Sequence, residues 1–214
     1  MKVIIPKIVD DLSIYANALP EYFCRDLVAK FEHGRRFGEV IDGFVSGDGV
    51  GSYKSGQFLT SEDVHMVEHE RWDRARFDLH KLYILPVLQD YLSRYKYVSL
   101  AESRLDSASC IVSRYAKGEG HFAPHQDSIG GLSPQRSLTV ICYLNSVYEG
   151  GDTFFFNQEF AVQPRLGSVL VFPSNFVYGH EGRPPISNDK YITVSFANVE
   201  IGNEEERLKA LNDV

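Results

Sequence analysis

The run RSLTVICYLN at residues 136–145 is apolar on both faces and rich in the residue types that strands favour. A strand of this composition is expected to be covered twice, by a second sheet on one side and by helices on the other. Similar runs surround it, separated by Gly and Pro, at residues 109–115, 153–156, 168–172 and 191–199. The pattern predicts a β-sandwich or barrel over the second half of the chain.

The first hundred residues predict a helical flank. Phe23, Leu27 and Phe31 recur at helical spacing after a Pro-Glu pair that suits a helix start. A second amphipathic stretch at residues 61–95 predicts one long helix or two consecutive ones, with a kink or a division at Pro86. Because each helix is apolar along one side only, both are expected to pack against the sheet.

Residues 41–57 carry five glycines among Ser, Asp and Lys, a composition that predicts an irregular loop. Such a loop beside a pocket often serves as a lid. The length of 214 residues fits one domain. Its predicted parts are a helical flank with the lid loop at 1–106, a β core at 107–200 and a tail at 201–214 that contains a short helix at 203–212.

A formal charge of -7 and a pI of about 5.5 make the protein repel phosphate backbones and anionic membrane surfaces. We therefore expect neither nucleic acid nor a membrane as a partner. The three cysteines are odd in number and widely spaced, which favours free buried thiols. No stretch approaches the length of a membrane span or a signal peptide, so the expected compartment is the cytoplasm.

A short motif, His125-Gln126-Asp127, follows Pro124 in a stretch predicted to be extended. Residues two apart in a strand project from the same face, so this imidazole and this carboxylate converge on one point. Two histidines and one carboxylate on a single face of a metal are typical of non-haem Fe(II) oxygenases. His180 is the candidate for the third ligand, although an HxD tripeptide by itself usually means a solvated His beside an acid.

Lys190 comes ten residues after His180 and begins a predicted strand in which Ile192, Val194 and Phe196 share its face. A lysine on the apolar face of a sheet costs several kcal/mol unless an anion meets it. The alternative is a lysine at a strand start that extends to solvent. With the HxD motif and His180 in the same β region, a carboxylate-containing cosubstrate is the better explanation.

Residues 107–199 resemble the catalytic core of the prolyl 4-hydroxylase-like Fe(II)/2-oxoglutarate-dependent dioxygenases. The resemblance covers more than half of the chain, with its segments in the family's order. These segments are RYAKG at 114–118, APHQD at 123–127, QRSLTV at 135–140, YLN at 143–145, EGGDTFF at 149–155, PRLG at 164–167, the spacing from His180 to Lys190, and SGQFL at 55–59.

The resemblance implies a double-stranded β-helix, a jelly-roll of the cupin kind, with the N-terminal helices packed on one sheet. It implies that His125, Asp127 and His180 ligate Fe(II), that Lys190 pairs with the C5 carboxylate of 2-oxoglutarate, and that Tyr115 donates a hydrogen bond to this cosubstrate. O2 would be the other cosubstrate, with succinate and CO2 as products. Related halogenases have Gly or Ala in place of Asp127, so the carboxylate favours hydroxylation.

Several positions depart from the peptidyl-prolyl hydroxylases, which usually have Tyr at 122, Trp at 196 and an Arg-Thr-Ser lead-in where this chain has Ser-Tyr-Lys. Losing these groups from the expected entrance of the substrate site removes hydrogen bonds that a peptide backbone would use. We therefore expect a small molecule, such as an amino acid, as the substrate. Arg136 could bind its carboxylate, and the other predicted substrate contacts are Tyr53, Phe122 and Phe196.

Two other functions stay open on the sequence. The same chemistry could act on a prolyl residue of a protein or peptide, in line with the family resemblance. A binding module of another class could retain the β-sandwich shape without catalysis. Against that module, binding alone has no need of two histidines and a carboxylate that leave metal positions open.

Overall fold

The computed structural model describes residues 7–43, 45–46, 52–53, 57–95, 98–105, 110–128 and 136–201. Within this part of the chain the strands, in chain order, are Lys7–Val9 (β1), Leu12–Tyr15 (β2), Ile41–Asp42 (β3), Val45–Ser46 (β4), Ser52–Tyr53 (β5), Leu59–Thr60 (β6), Glu62–His65 (β7), Val98–Leu105 (β8), Ile111–Tyr115 (β9), His121–His125 (β10), Leu138–Tyr143 (β11), Thr153–Phe155 (β12), Phe160–Val162 (β13), Val169–Pro173 (β14), His180–Gly182 (β15) and Lys190–Ile201 (β16).

The strands form two main antiparallel sheets. The larger sheet has the order β1-β2-β14-β11-β16-β9-β7-β3, with β8 also paired to β16, and the smaller has the order β13-β12-β15-β10-β6. From β9 onward the chain crosses repeatedly between the sheets, since β9, β11, β14 and β16 lie in the larger one and the strands between them in the smaller one. This winding is that of a double-stranded β-helix, so the predicted fold class is confirmed.

Helices cover the outer face of the larger sheet. Their bounds are Glu21–Arg36 (α1), Asp73–Asp78 (α2) and Leu85–Leu92 (α3), with a π-helical segment at Leu79–Ile84 and 3₁₀ turns at Met66–Glu68, Glu70–Trp72 and Phe176–Tyr178. One core cluster joins helix residues such as Leu27 and Leu79 to sheet residues such as Val140 and Val171. The predicted packing of the flank against the sheet is therefore confirmed. No helix in the described ranges combines the length and the apolar character needed to span a membrane.

The predicted helix at residues 61–95 begins later than expected. Residues 62–65 form β7, which pairs with β9 in the register Glu62↔Arg114, and the helix starts only at Asp73. The prediction was wrong here because sheet pairing overrides local helical spacing in so short a segment. Pro86 has no N–H to donate to a helical hydrogen bond. The π-helical segment Leu79–Ile84 ends directly before α3, which contains Pro86, so the helix divides at the predicted place.

The flank also supplies strands that the sequence did not predict. β2, β3, β7 and β8 all join the larger sheet, whereas β1 overlaps a stretch at 3–8 whose composition is strand-like. Residues 41–57 were expected to hold no regular element, yet β4 and β5 pair within them in the register Val45↔Tyr53. A lid role for this segment stays a prediction, as does the division into one domain with three parts, and the predicted helix at 203–212 lies outside the described residues.

A second core cluster lies between the sheets and includes Tyr115, Ile141, Phe155, Phe172 and Ile192. Ile192 and Val194 on β16 contribute to it, as their alternation predicted. Lys190 begins the same strand, is 2% exposed and shares their face. The lysine therefore points into the interior, where the predicted metal ligands are also found.

Candidate metal centre and anion pocket

Two neighbouring strands of the smaller sheet bring the predicted ligands together. His125 is the last residue of β10, and its Cα partner is His180, the first residue of β15. The Nε2 atom of His125 lies 3.6 Å from Asp127 Oδ1, and the Nε2 atom of His180 lies 3.8 Å from Asp127 Oδ2. One ligand atom from each of the three lies within 4.8 Å of the others, close enough for all to reach one ion.

Hydrogen bonds fix the orientation of both imidazoles. The Nδ1 atom of His125 lies 2.8 Å from the carbonyl oxygen of Ala123, and that of His180 lies 3.0 Å from the carbonyl oxygen of Tyr178. A carbonyl only accepts, so Nδ1–H is the donor in each ring, and Nε2 is the nitrogen that faces Asp127. Burial, with the nearby His180, lowers the pKa of His125 to about 4. The ring is therefore neutral at pH 7, as a ligand must be.

Aromatic rings enclose the two histidines. Phe122 stacks on His125 with ring centroids 3.5 Å apart, and Phe155 and Phe172 lie 5.3 Å and 5.0 Å from His180. The side chains of His125 and Asp127 retain 12% and 10% exposure, against 4% for His180. The site is thus mostly shielded from water but open on one side, beside Phe122 and Asp127.

Lys190 forms the second charged element of the interior. Its Nζ donates to the carbonyl oxygen of Gly151 at 2.9 Å and lies 4.8 Å from the centroid of the Tyr115 ring. Burial lowers its pKa to about 8, although the charge of Asp152 acts in the opposite direction. At pH 7 most of the population is therefore charged, with ammonium protons left over for an anion. The alternative of a lysine extending to solvent is excluded by its burial.

The ammonium group lies close to the strand that carries His180. A Cβ built on Gly182 would be 3.9 Å from Lys190 Nζ. Gly182 follows His180 by two residues on the same face of β15, a separation of roughly 7 Å along a strand. A five-carbon dicarboxylic acid can bridge such a gap, with one end at the triad and the other at the ammonium. The donor set and the buried cation thus both fit Fe(II) with 2-oxoglutarate.

Tyr115 lies beside the ammonium group of Lys190. It is the Cα partner of Lys190, and its side chain is 6% exposed. Its pKa is raised by burial and by the charges of Asp63 and Asp127, so the phenol is neutral and within electrostatic reach of the triad. A neutral phenol can donate the hydrogen bond that was predicted for it.

The predicted substrate residues divide into two groups. Arg136 lies over the ring of Phe196, with Cζ 3.8 Å from the centroid, and its Nη1 donates to the backbone oxygen of Asp127 at 3.3 Å. Together with Phe122 these residues border the triad. For Tyr53, by contrast, only the backbone of β5 is described, and its side chain lies outside the described part.

Four polar residues of the interior were not assigned roles from the sequence. Thr139 Oγ1 donates to Asp127 Oδ2 at 2.7 Å, and Ser174 Oγ lies 2.8 Å from Thr139 Oγ1. Tyr143 and Thr153 share a hydrogen bond of 2.9 Å, and Thr153 is the Cα partner of Gly182 near the ammonium. A hydroxyl inside an apolar strand run is the sequence signal that could have found them, because a buried hydroxyl needs a partner.

Residues 110–198 match the family model of the 2OG-Fe(II) oxygenase superfamily. Over this range the chain is similar to the 2OG-Fe(II) oxygenase superfamily. Its members use Fe(II), 2-oxoglutarate and O2, so the expectation of an oxidoreductase with these cofactors is confirmed at the level of the family. The matched range contains every predicted metal ligand and Lys190.

The curated proteins that the chain resembles include procollagen lysine hydroxylases. The chain is 26% identical over 189 residues to the human multifunctional procollagen lysine hydroxylase and glycosyltransferase LH3. This alignment covers 84% of this chain and 22% of LH3. It is 28% identical over 188 residues to rat procollagen-lysine,2-oxoglutarate 5-dioxygenase 1, and this alignment covers 83% of this chain and 22% of the rat protein. The chain therefore spans about a fifth of the length of these relatives.

Solved structures of prolyl hydroxylases share the fold. A Pseudomonas putida prolyl-4-hydroxylase has a TM-score of 0.61 at 17% identity, covering 88% of this chain and 92% of that one. A Trichoplax adhaerens prolyl hydroxylase, solved with a hypoxia inducible factor peptide, has a TM-score of 0.63 at 18% identity, covering 94% and 87%. At such identities the likeness supports the fold, and the double-stranded β-helix is the fold it supports.

Proposed function

We propose that this chain is an Fe(II)- and 2-oxoglutarate-dependent dioxygenase that hydroxylates a C–H bond of its substrate. The observation that carries the proposal is the presence, in one shielded interior, of two oriented imidazoles, a carboxylate and a buried ammonium group. A binding module of another class is disfavoured, since burying a lysine without an anionic ligand is unfavourable.

In this proposal His125, Asp127 and His180 hold the metal, and Lys190 with Tyr115 holds the far carboxylate of 2-oxoglutarate. When bound, Fe(II) and 2-oxoglutarate supply the oxidation: O2, 2-oxoglutarate and the substrate C–H bond give succinate, CO2 and an alcohol. The chain's own contribution is placement. Lys190 sets the position of the cosubstrate, and the rings around His125 and His180 exclude water.

The proposed substrate is a small molecule such as an amino acid. Arg136 supports this proposal because its guanidinium lies beside the backbone of Asp127, at the exposed side of the triad, where it could pair with a substrate carboxylate. Phe122 and Phe196 supply apolar walls next to it. The net charge of -7 argues against nucleic acid as the substrate, and three buried free thiols suit the cytoplasm.

A lysyl or prolyl residue of a protein is the second candidate. The relatives named for procollagen lysine hydroxylation favour a lysyl side chain, and the structural neighbours favour a prolyl one. Either substrate would have to reach the same exposed side of the triad. The two candidates therefore share the chemistry and differ in what binds beside Arg136.

Succinate release separates the candidates. The protein is incubated with Fe(II), 2-oxoglutarate and O2, together with a panel of free amino acids or with lysine- and proline-containing peptides. We expect stimulation by a free amino acid, and we expect Arg136→Leu to raise the KM for it by about 10-fold or more, the effect of losing one charge-assisted contact. The exposed Arg165 provides the control variant Arg165→Leu. Stimulation by peptides alone would reverse the ranking.

The pH dependence of 2-oxoglutarate binding follows from Lys190. Only the ammonium form pairs with the carboxylate, and its pKa in the free protein is about 8. We expect the affinity for 2-oxoglutarate to be level below that pH and to fall up to about tenfold per pH unit above it. Calorimetry at pH 7 and pH 9 with a redox-inert divalent metal measures this. In Lys190→Arg the fall should disappear, since a guanidinium stays charged, and an equal fall in both proteins contradicts the assignment.

A further inference from the structure

Asp127 is a metal ligand whose position the strand does not fix. β10 ends at His125, so Asp127 and Ser128 lie outside the ladder that holds the neighbouring histidine. Its backbone is held instead by Arg136, which donates to its carbonyl oxygen, and by the bond from Ser128 N to the carbonyl oxygen of Ser174 at 2.9 Å. The orientation of the carboxylate must therefore come from contacts of the side chain itself.

We propose that Thr139, supported by Ser174, is the positioning residue of Asp127. The proposal rests on the proposed function, because it assumes that Asp127 binds the metal. Thr139 Oγ1 donates to Oδ2 at 2.7 Å, which directs Oδ1, the oxygen 3.6 Å from His125 Nε2, towards the metal. The carboxylate then serves as a ligand through one oxygen, and the remaining metal positions stay open for 2-oxoglutarate and O2.

Ser174 completes the arrangement. The hydroxyl of Thr139 gives its only proton to the carboxylate, so in the 2.8 Å contact Ser174 Oγ must donate and Thr139 must accept. Both residues are 1% exposed, so water cannot replace a lost partner. Ser174 follows directly after β14. Its side chain supports Asp127 through Thr139, and its backbone carbonyl accepts from Ser128 N.

Mn(II) affinity tests the proposal without turnover. Removing a side chain that hydrogen-bonds a metal ligand typically weakens metal binding about 10–100-fold, and we expect this for Thr139→Val measured by calorimetry. Thr139→Ser keeps the hydroxyl and should restore affinity close to that of the unchanged protein. The matched control is Thr193→Val. Thr193 is fully buried on the face of β16 opposite to Lys190, so this change should leave Mn(II) affinity unchanged.

The outcomes are distinguishable. Equal Mn(II) affinity in Thr139→Val and the unchanged protein, or a Thr139→Ser variant as weak as Thr139→Val, overturns the positioning role. Urea unfolding shows whether Thr139→Val folds; if it does not, Ser174→Ala takes its place and should weaken Mn(II) binding in the same direction, with unchanged affinity overturning the proposal. Absence of Mn(II) binding in the unchanged protein would instead overturn the proposed function.

Discussion

Replacing Lys190 with methionine should weaken the binding of 2-oxoglutarate by about 10²- to 10⁴-fold, since leaving a buried charge without its partner costs about 3–5 kcal/mol. Methionine is close to lysine in volume, so the packing against Tyr115 is largely kept while the charge is lost. Mn(II) affinity should stay within a few fold, because Lys190 contacts none of the three ligands. Calorimetry with Mn(II), first alone and then with 2-oxoglutarate, measures both quantities.

Lys81→Met is the control for this variant, since Lys81 is an exposed lysine on the π-helical segment. It should leave both affinities unchanged. If Lys190→Met binds 2-oxoglutarate as tightly as the unchanged protein, the ammonium does not hold the cosubstrate. If Lys190→Met instead loses Mn(II) binding, the lysine supports the fold of the site and the assignment of the anion pocket is wrong.

His180→Ala should lower 2-oxoglutarate decarboxylation by about 10³-fold or more, the effect of losing several kcal/mol of metal-dependent stabilisation. The ring supplies one of the three ligands, and its packing against Phe155 and Phe172 gives water little room to replace it. Succinate formation measures the rate, and Mn(II) calorimetry shows whether the metal is lost. His33→Ala, at an exposed position on α1, should retain full activity. Comparable rates in the two variants would remove His180 from the site.

The sequence predicted the parts of the site that depend on strand periodicity. Lys190 faces the interior because Ile192 and Val194 share its side. His125 and Asp127 converge as their two-residue spacing predicted, although β10 ends at His125 and the carboxylate of Asp127 is oriented by its own contacts. The pairing of β10 with β15, which brings His180 opposite His125, was not predicted; the role of His180 rested on its spacing from Lys190 and on the family resemblance. Spacing along the chain contains no information about which strands pair across the barrel.

What the sequence did not predict depends on contacts between distant segments. Residues 62–65 have apolar neighbours at helical spacing, yet pairing with β9 makes them a strand. Thr139 looks like an ordinary β-branched residue in an apolar run, and only the three-dimensional structure brings Asp127 to its hydroxyl. A hydroxyl in an apolar run signals that a partner is needed, but tertiary contacts decide which partner it is, as they decide whether a short segment becomes a strand.

The most direct test adds Fe(II) and 2-oxoglutarate together, without O2, to the unchanged protein, to His180→Ala and to Lys190→Met. Chelation of Fe(II) by 2-oxoglutarate in one cavity should give a visible absorption band in the unchanged protein. The band should be absent in His180→Ala, and in Lys190→Met it should require a much higher 2-oxoglutarate concentration. An unchanged protein that binds Fe(II) but gives no band at saturating 2-oxoglutarate would contradict a shared site for the two.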